Sequence, residues 1–195
     1  MLTIFNIIHF VGIVIITLLC CLVLFDKSSS RERVFVLIGI AILVQMVGYL
    51  FEINSIEIET AVVAIKFQLL GMLFFNSYLI AFARKLLNPD YNRFSLIPFV
   101  LIDFIFAIFF LGHQFQYVMF DPVIVETGFF PHLVYRSGIV LYLNVIFNIG
   151  CSIYQGILII MYFKKNKKIG KAAFLIIIAY LLPLFISFLV CHVKW

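Results

Sequence analysis

The chain contains six stretches of 18 to 27 residues that are almost free of charge. Leu2–Phe25, Val34–Phe51, Ser137–Phe163 and Ala172–Cys191 hold no Asp, Glu, Lys or Arg; Ala61–Ala83 holds only Lys66, and Phe94–Gly112 only Asp103. A helix needs about 20 apolar residues to cross roughly 30 Å of hydrocarbon at about 1.5 Å per residue. Inside lipid only helices and closed barrels satisfy their own backbone, and barrel strands of about 10 alternating residues do not resemble these runs. The pattern predicts an all-α integral membrane protein, a polytopic bundle of six transmembrane helices. Their expected bounds are 2–25, 34–53, 60–83, 94–112, 134–163 and 171–191, in one transmembrane domain over 1–195.

Composition closes the soluble alternative. The residues are 65% hydrophobic and 12% charged, against roughly 45–50% and 25% in soluble domains. A soluble domain of roughly 150 residues or more still leaves about 30% of its chain surface in water, and this chain has too few polar residues to cover it. A water-soluble enzyme or nucleic-acid-binding domain is excluded. The first run has no basic residue before Lys27 and exceeds the roughly 7–15 apolar residues of a signal-peptide core, so it reads as a permanent helix.

Orientation follows from the basic residues. Asp26–Arg33, Arg84–Arg93 and Lys164–Lys171 hold 11 of the 14 Lys and Arg, all on one side if six helices alternate. The other side carries Arg136 and Lys194 with Glu52, Glu57, Glu59, Asp121 and Glu126. Basic loops stay in the cytoplasm, so the N-terminus and Trp195 are expected outside. The net charge of +5 is a topology signal and an attraction to lipid surfaces, with no role for nucleic acid.

Catalysis finds no candidate. Cys20, Cys21, Cys151 and Cys191 lie in or at the ends of spans, where a thiol acts as a small hydrophobe. His9, His113, His132 and His192 show no metal-ligand spacing. No Ser-His-Asp set, phosphate-cradling glycine loop or carboxylate pair is present, so no catalytic residue, metal or cofactor is expected. Residues 113–133 form the one long connection, an outer cap. Two β-prone runs there, Gln114–Phe120 and Val123–Phe130, flank Asp121-Pro122. They predict a hairpin over the outer mouth or an aromatic belt in the interface. Pro183 is expected to kink the sixth helix.

Polar residues within the spans carry the functional signal. Asp103 lies nine residues into the fourth helix, roughly 13 Å deep. A charge there costs about 2.5–3.5 kcal/mol, so it should face the bundle. Lys66 lies less than two turns away in depth, near enough for a Lys–Asp contact; the alternatives are a snorkelling lysine and a hydrogen-bonded structural acid. Asn144, Asn148, Ser152 and Gln155 are spaced by four, four and three, so they share one helical face. Gln45, Tyr49 and Glu52 repeat the pattern on the second helix, and Gln68, Asn76 and Ser77 add polarity on the third. Such residues either glue helices or line a wet cavity open to the outside. In the second case Glu52, Lys66, Asp103, Arg136, Asn144 and Asn148 are the candidate ligand-binding residues, with Arg136 a forked donor for carboxylate or phosphate.

Several of these features fall in a familiar order. An acid closes the second helix in Leu50-Phe51-Glu52. Glu59-Thr60-Ala61 leads through Ala64 and Lys66 to Leu70-Gly71, and Leu96-Ile97-Pro98 opens the fourth helix. His113 follows that helix, and Tyr135–Gly138 enters a long fifth one. The chain thereby resembles, over about residues 1–192, the N-terminal seven-helix membrane region of bacterial sensor histidine kinases and some diguanylate cyclases. The resemblance implies a sensory input domain in the bacterial cytoplasmic membrane, with six of seven helices in this stretch. It also implies a cytoplasmic signalling domain in cis, reached through a seventh helix beyond Trp195, and a homodimeric parent. The input is expected to be a small extracellular ligand or membrane state. The competing reading is a small ion-coupled transporter relaying through Asp103 and Lys66; a purely structural membrane subunit is the third.

Overall fold

The computed structural model describes residues 2–25, 30–88, 91, 93–125 and 132–165. Among them are five helices long and apolar enough to cross a membrane. They fall in α1 (Leu2–Phe25), α2 (Ser30–Ile53), α3 (Ile58–Leu87), α4 (Ile97–Leu111) and α5 (Ile139–Lys165), the fourth span reaching its 18 residues with the 3-10 turn Arg93–Leu96 that leads into α4. The helix expected over 171–191, with Pro183, Cys191 and His192, lies outside the described residues. An antiparallel hairpin, β1 (Met119–Val125) and β2 (His132–Ser137), joins α4 to α5.

Local chemistry sets the helix ends. In α3, Glu59 stands in the first turn and Arg84 and Lys85 in the last, each sign opposite to the partial charge at its end of the helix. Pro98 sits in the first turn of α4, where its missing N–H would have had no partner. Gly112 closes α4 with its N–H on the Ile108 carbonyl at 2.9 Å. The fifth helix begins at Ile139 rather than at 134, because residues 134–137 are drawn into β2. Gly138 then donates its N–H to the Val118 carbonyl at 2.9 Å. A Cβ at Gly138 would run into the Tyr117 carbonyl, so only glycine lets the chain pass there. In the hairpin, Val123 faces Val134 and Phe120 faces Arg136, with a bulge between Phe120 and Val123. Asp121 in that bulge has φ of 46°, a left-handed conformation that aspartate tolerates better than most residues.

Helix α3 occupies the centre, packing on α2, α4, α5 and both strands. Its contact with α2 rests on an exchange of glycines. A Cβ on Gly48 of α2 would lie 2.8 Å from the Ala64 carbonyl, and one on Gly71 of α3 would lie 2.6 Å from the Ala41 carbonyl. Each helix lays bare backbone against its neighbour. In lipid, where burying apolar surface gives no net drive, such close approach and hydrogen bonds hold helices together. Helix α1 is peripheral: only Cys20 of its residues is buried, against Gly39 of α2.

Two of the three apolar clusters among the described residues bracket the bundle. Toward the hairpin, Leu69, Leu73, Phe110, Val118, Leu133 and Val140 pack together. Toward the basic end, Ile80 and Ala83 of α3 meet Cys151 and Leu158 of α5. Asn76 and Ser77 stand on α3 between Leu73 and Ile80, so a polar layer separates the clusters.

Candidate functional site

That layer is built by three helices. Spacings of four, four and three put Asn144, Asn148, Ser152 and Gln155 on one face of α5, and all four are buried there. Asn76 Nδ2 donates to Asn148 Oδ1 at 2.7 Å, and Asn148 Nδ2 donates to Asn144 Oδ1 at 2.9 Å. Gln155 Nε2 donates to the Asn76 carbonyl at 2.9 Å, and Ser152 Oγ to the Asn148 carbonyl at 2.8 Å. From α4, Asp103 accepts a hydrogen bond from Ser77 Oγ at its Oδ2. Asp103 is fully buried and Asn144 only 2% exposed, yet Asp103 Oδ1 and Asn144 Nδ2 have no hydrogen-bond partner. Buried polar atoms are nearly always paired, so these two are where the layer has bonding capacity to spare.

A second polar contact lies at the hairpin end. Glu52, in the last turn of α2, accepts from Gln68 Nε2 at 2.5 Å and from the Leu133 backbone N–H of β2 at 3.2 Å. One carboxylate thus touches α3 and the hairpin at once. Nearby, Asn6 and Asn54 exchange amide hydrogen bonds at 2.9 and 3.1 Å, fixing the N-terminal end of α1 to the turn after α2. Thr3, Asn6, Ile7, Phe10, Leu50 and Asn54 line an open groove of about 370 Å³ there.

The six candidate residues are therefore not gathered in one place. Asn144 and Asn148 are joined directly, and Asp103 connects to them through Ser77 and its neighbour Asn76 on α3. Glu52 belongs to the hairpin contact. Lys66 does not meet Asp103; its ammonium lies 4.7 Å from the centre of the Phe115 ring, a cation–π contact. Arg136 stands on β2, 81% exposed, 4.0 Å from Asp121. Among the described residues, no group of three or more His, Cys, Asp and Glu is arranged to hold a metal ion.

One cluster went unread in the sequence, where Arg84 counted only as a topological charge. Its Nε and Nη2 donate to Tyr154 Oη at 2.9 and 2.5 Å, and Nη1 to Tyr91 Oη at 3.4 Å and to Ser95. The guanidinium lies 5.3 and 5.2 Å from the two tyrosine ring centres, and Phe99 of α4 stacks on Tyr154 at 5.9 Å. The available signal was spacing: Arg84 follows Ser77 by seven residues and so shares its face.

A family model described as the N-terminal 7TM region of histidine kinase matches residues 8–194. The chain belongs to this family. Comparison with curated proteins and with solved structures gave no match. As a 7TM region of histidine kinase it is the membrane-embedded sensory part, and the all-α bundle and the resemblance drawn from Leu50-Phe51-Glu52 onward are borne out. The match runs across every described helix from within α1 onward, so the buried layer, the Glu52 contact and the Arg84 cluster all lie inside the 7TM region.

Proposed function

We propose that this chain is the input domain of a bacterial signal-transduction protein, receiving a small extracellular molecule at its hairpin end and passing the signal to a cytoplasmic kinase or cyclase. The observation that carries the reading is Glu52. It couples the hairpin backbone to the central helix through one carboxylate, so a molecule that displaces the hairpin pulls on α2 and α3 together. Helix α3 in turn reaches α5 through the Asn76–Asn148 hydrogen bond. The output then runs through a seventh helix to a signalling domain in cis, in a homodimeric parent. In this reading the basic end faces the cytoplasm, and the N-terminus and hairpin face outward.

Asn144 and Asp103, with their spare bonding capacity, are the inner part of the responsive region; Lys66 and Arg136 face an incoming anionic group nearer the mouth. The carrier reading needs Asp103 and Lys66 in communication, and Lys66 against Phe115 favours the sensor instead. The test is the output of the parent signalling protein in native membranes. Glu52→Ala should abolish the change in output that the signal produces while leaving insertion intact. A normal response from that variant would sink the reading, and ion flux through liposomes carrying the purified chain would restore the carrier.

A further inference from the structure

Among the described residues, the Arg84 cluster at the basic end is a collection of donors without an anion. The guanidinium carries a permanent charge, yet among the described residues no carboxylate stands within ion-pair distance of it; the ion pair found there is Arg136–Asp121 at the opposite end. Its neighbours do not compensate for this. Tyr154 and Tyr91 accept hydrogen bonds from Arg84 through their hydroxyl oxygens. Each phenol therefore keeps its own proton to donate, and neither donates to another described residue. A charge of +1 and two phenol O–H donors thus meet at one point, half-buried between α3, α5 and the turn before α4.

The position of the cluster selects among anions. Arg84 stands in the last turn of α3, where a membrane helix reaches the headgroups. Phe94 beside it is 75% exposed, and with Tyr91 and Tyr154 it forms the aromatic fringe that settles at the lipid–water boundary. We propose that Arg84, Tyr91 and Tyr154 bind the headgroup phosphate of an anionic phospholipid, the guanidinium supplying its charge and the one Nη2 N–H left over from Tyr154, Tyr91 and Ser95, and the phenols one donor each. The bound phosphate sets a negative charge beside the guanidinium and ties α3 to α5 through a lipid as well as through protein. Lys164 and Lys165, in the last turn of α5, add only diffuse attraction to the same surface.

The full chain, purified in detergent, is titrated with phosphatidylglycerol, phosphatidylcholine or inorganic phosphate, and bound lipid is read by native mass spectrometry. Phosphatidylglycerol should bind at least about tenfold more tightly than phosphatidylcholine, and Arg84→Gln should remove that preference. Arg84→Lys keeps the charge without the planar head that holds Tyr154 and Tyr91 in place and should recover only part of it. The double variant Tyr91→Phe/Tyr154→Phe retains the guanidinium and should still lose several-fold, which carries the test if Arg84→Gln does not fold. Equal binding of both lipids overturns the proposal, as does unchanged phosphatidylglycerol affinity in the double variant. So does a preference that survives Arg84→Gln and vanishes in Lys164→Gln/Lys165→Gln. Inorganic phosphate that displaces the lipid at millimolar concentration would overturn it in favour of a soluble anion.

Discussion

Glu52 and Leu133 lie 81 residues apart in sequence and meet through a 3.2 Å hydrogen bond from the Leu133 backbone N–H to Oε1, while Oε2 of the same carboxylate holds Gln68. The hairpin is thereby anchored by a side chain of α2 at a backbone group that a two-stranded sheet would otherwise leave to solvent. Glu52→Gln retains one carbonyl oxygen and can serve only one of the two donors. It should speed amide exchange in residues 132–137, and Glu52→Ala should do so further, at a cost of about 1–3 kcal/mol for the stranded donors. Hydrogen exchange followed by mass spectrometry reads this directly. Unchanged exchange in β2 would mean that the hairpin is held by its apolar contacts alone.

Gly71→Ala should push α2 and α3 apart. The new methyl would meet the Ala41 carbonyl at 2.6 Å and Gln45 N at 2.7 Å, both backbone atoms unable to turn aside. Overpacking of this kind costs about 1–3 kcal/mol. Gly150→Ala is the control, because nothing lies within 4 Å of its Cβ position. Thermal unfolding in detergent should show a lowered midpoint for the first variant and none for the second.

Asn148→Leu removes the middle member of the amide chain. It strands Asn144 Oδ1 within α5 and Asn76 Nδ2 on α3, the latter an interhelical bond of a kind worth about 0.6 kcal/mol on average and up to about 1.7 in membranes. The variant should insert normally and lose its response to the signal. Asp103→Asn should be milder, since the amide oxygen still accepts from Ser77. If both variants respond as the unaltered protein does, the layer is packing glue.

Arg136→Ala should change stability by less than about 0.5 kcal/mol, because a 4.0 Å pair exposed by 81% and 77% is held in water and screened. A larger loss in a denaturation midpoint would mean that Arg136 has a partner besides Asp121.

Orientation is tested by a membrane-impermeant thiol reagent on intact cells, in a background without native cysteines. Val123→Cys, on the exposed side of the hairpin, should be labelled, and Lys164→Cys should not. The reverse pattern would invert the direction of signalling.

Spans were legible because a run of apolar residues declares itself locally, whatever it later packs against. The face of α5 was legible for the same reason: Asn144, Asn148 and Ser152 need only their own spacing. Partners were a different matter. That Asn148 takes Asn76, that Lys66 settles on Phe115 rather than near Asp103, and that Arg84 takes Tyr154 depend on how distant helices are rotated. Nothing in a single helix encodes that angle. The start of α5 was misplaced because residues 134–137 suit strand and helix alike, and the decision falls to Gly138 and its contact with the Tyr117 carbonyl.

Helices α3 and α5 run side by side in the same direction, and Asn144 and Asn148 stand one turn apart on α5 like two rungs. A slide of α5 by one turn, about 5.4 Å, would bring Asn144 to where Asn148 stood, so the Asn76 side chain would exchange one amide for another while its carbonyl gave up Gln155. The Arg84–Tyr154 clasp has no second rung and must open for the same movement.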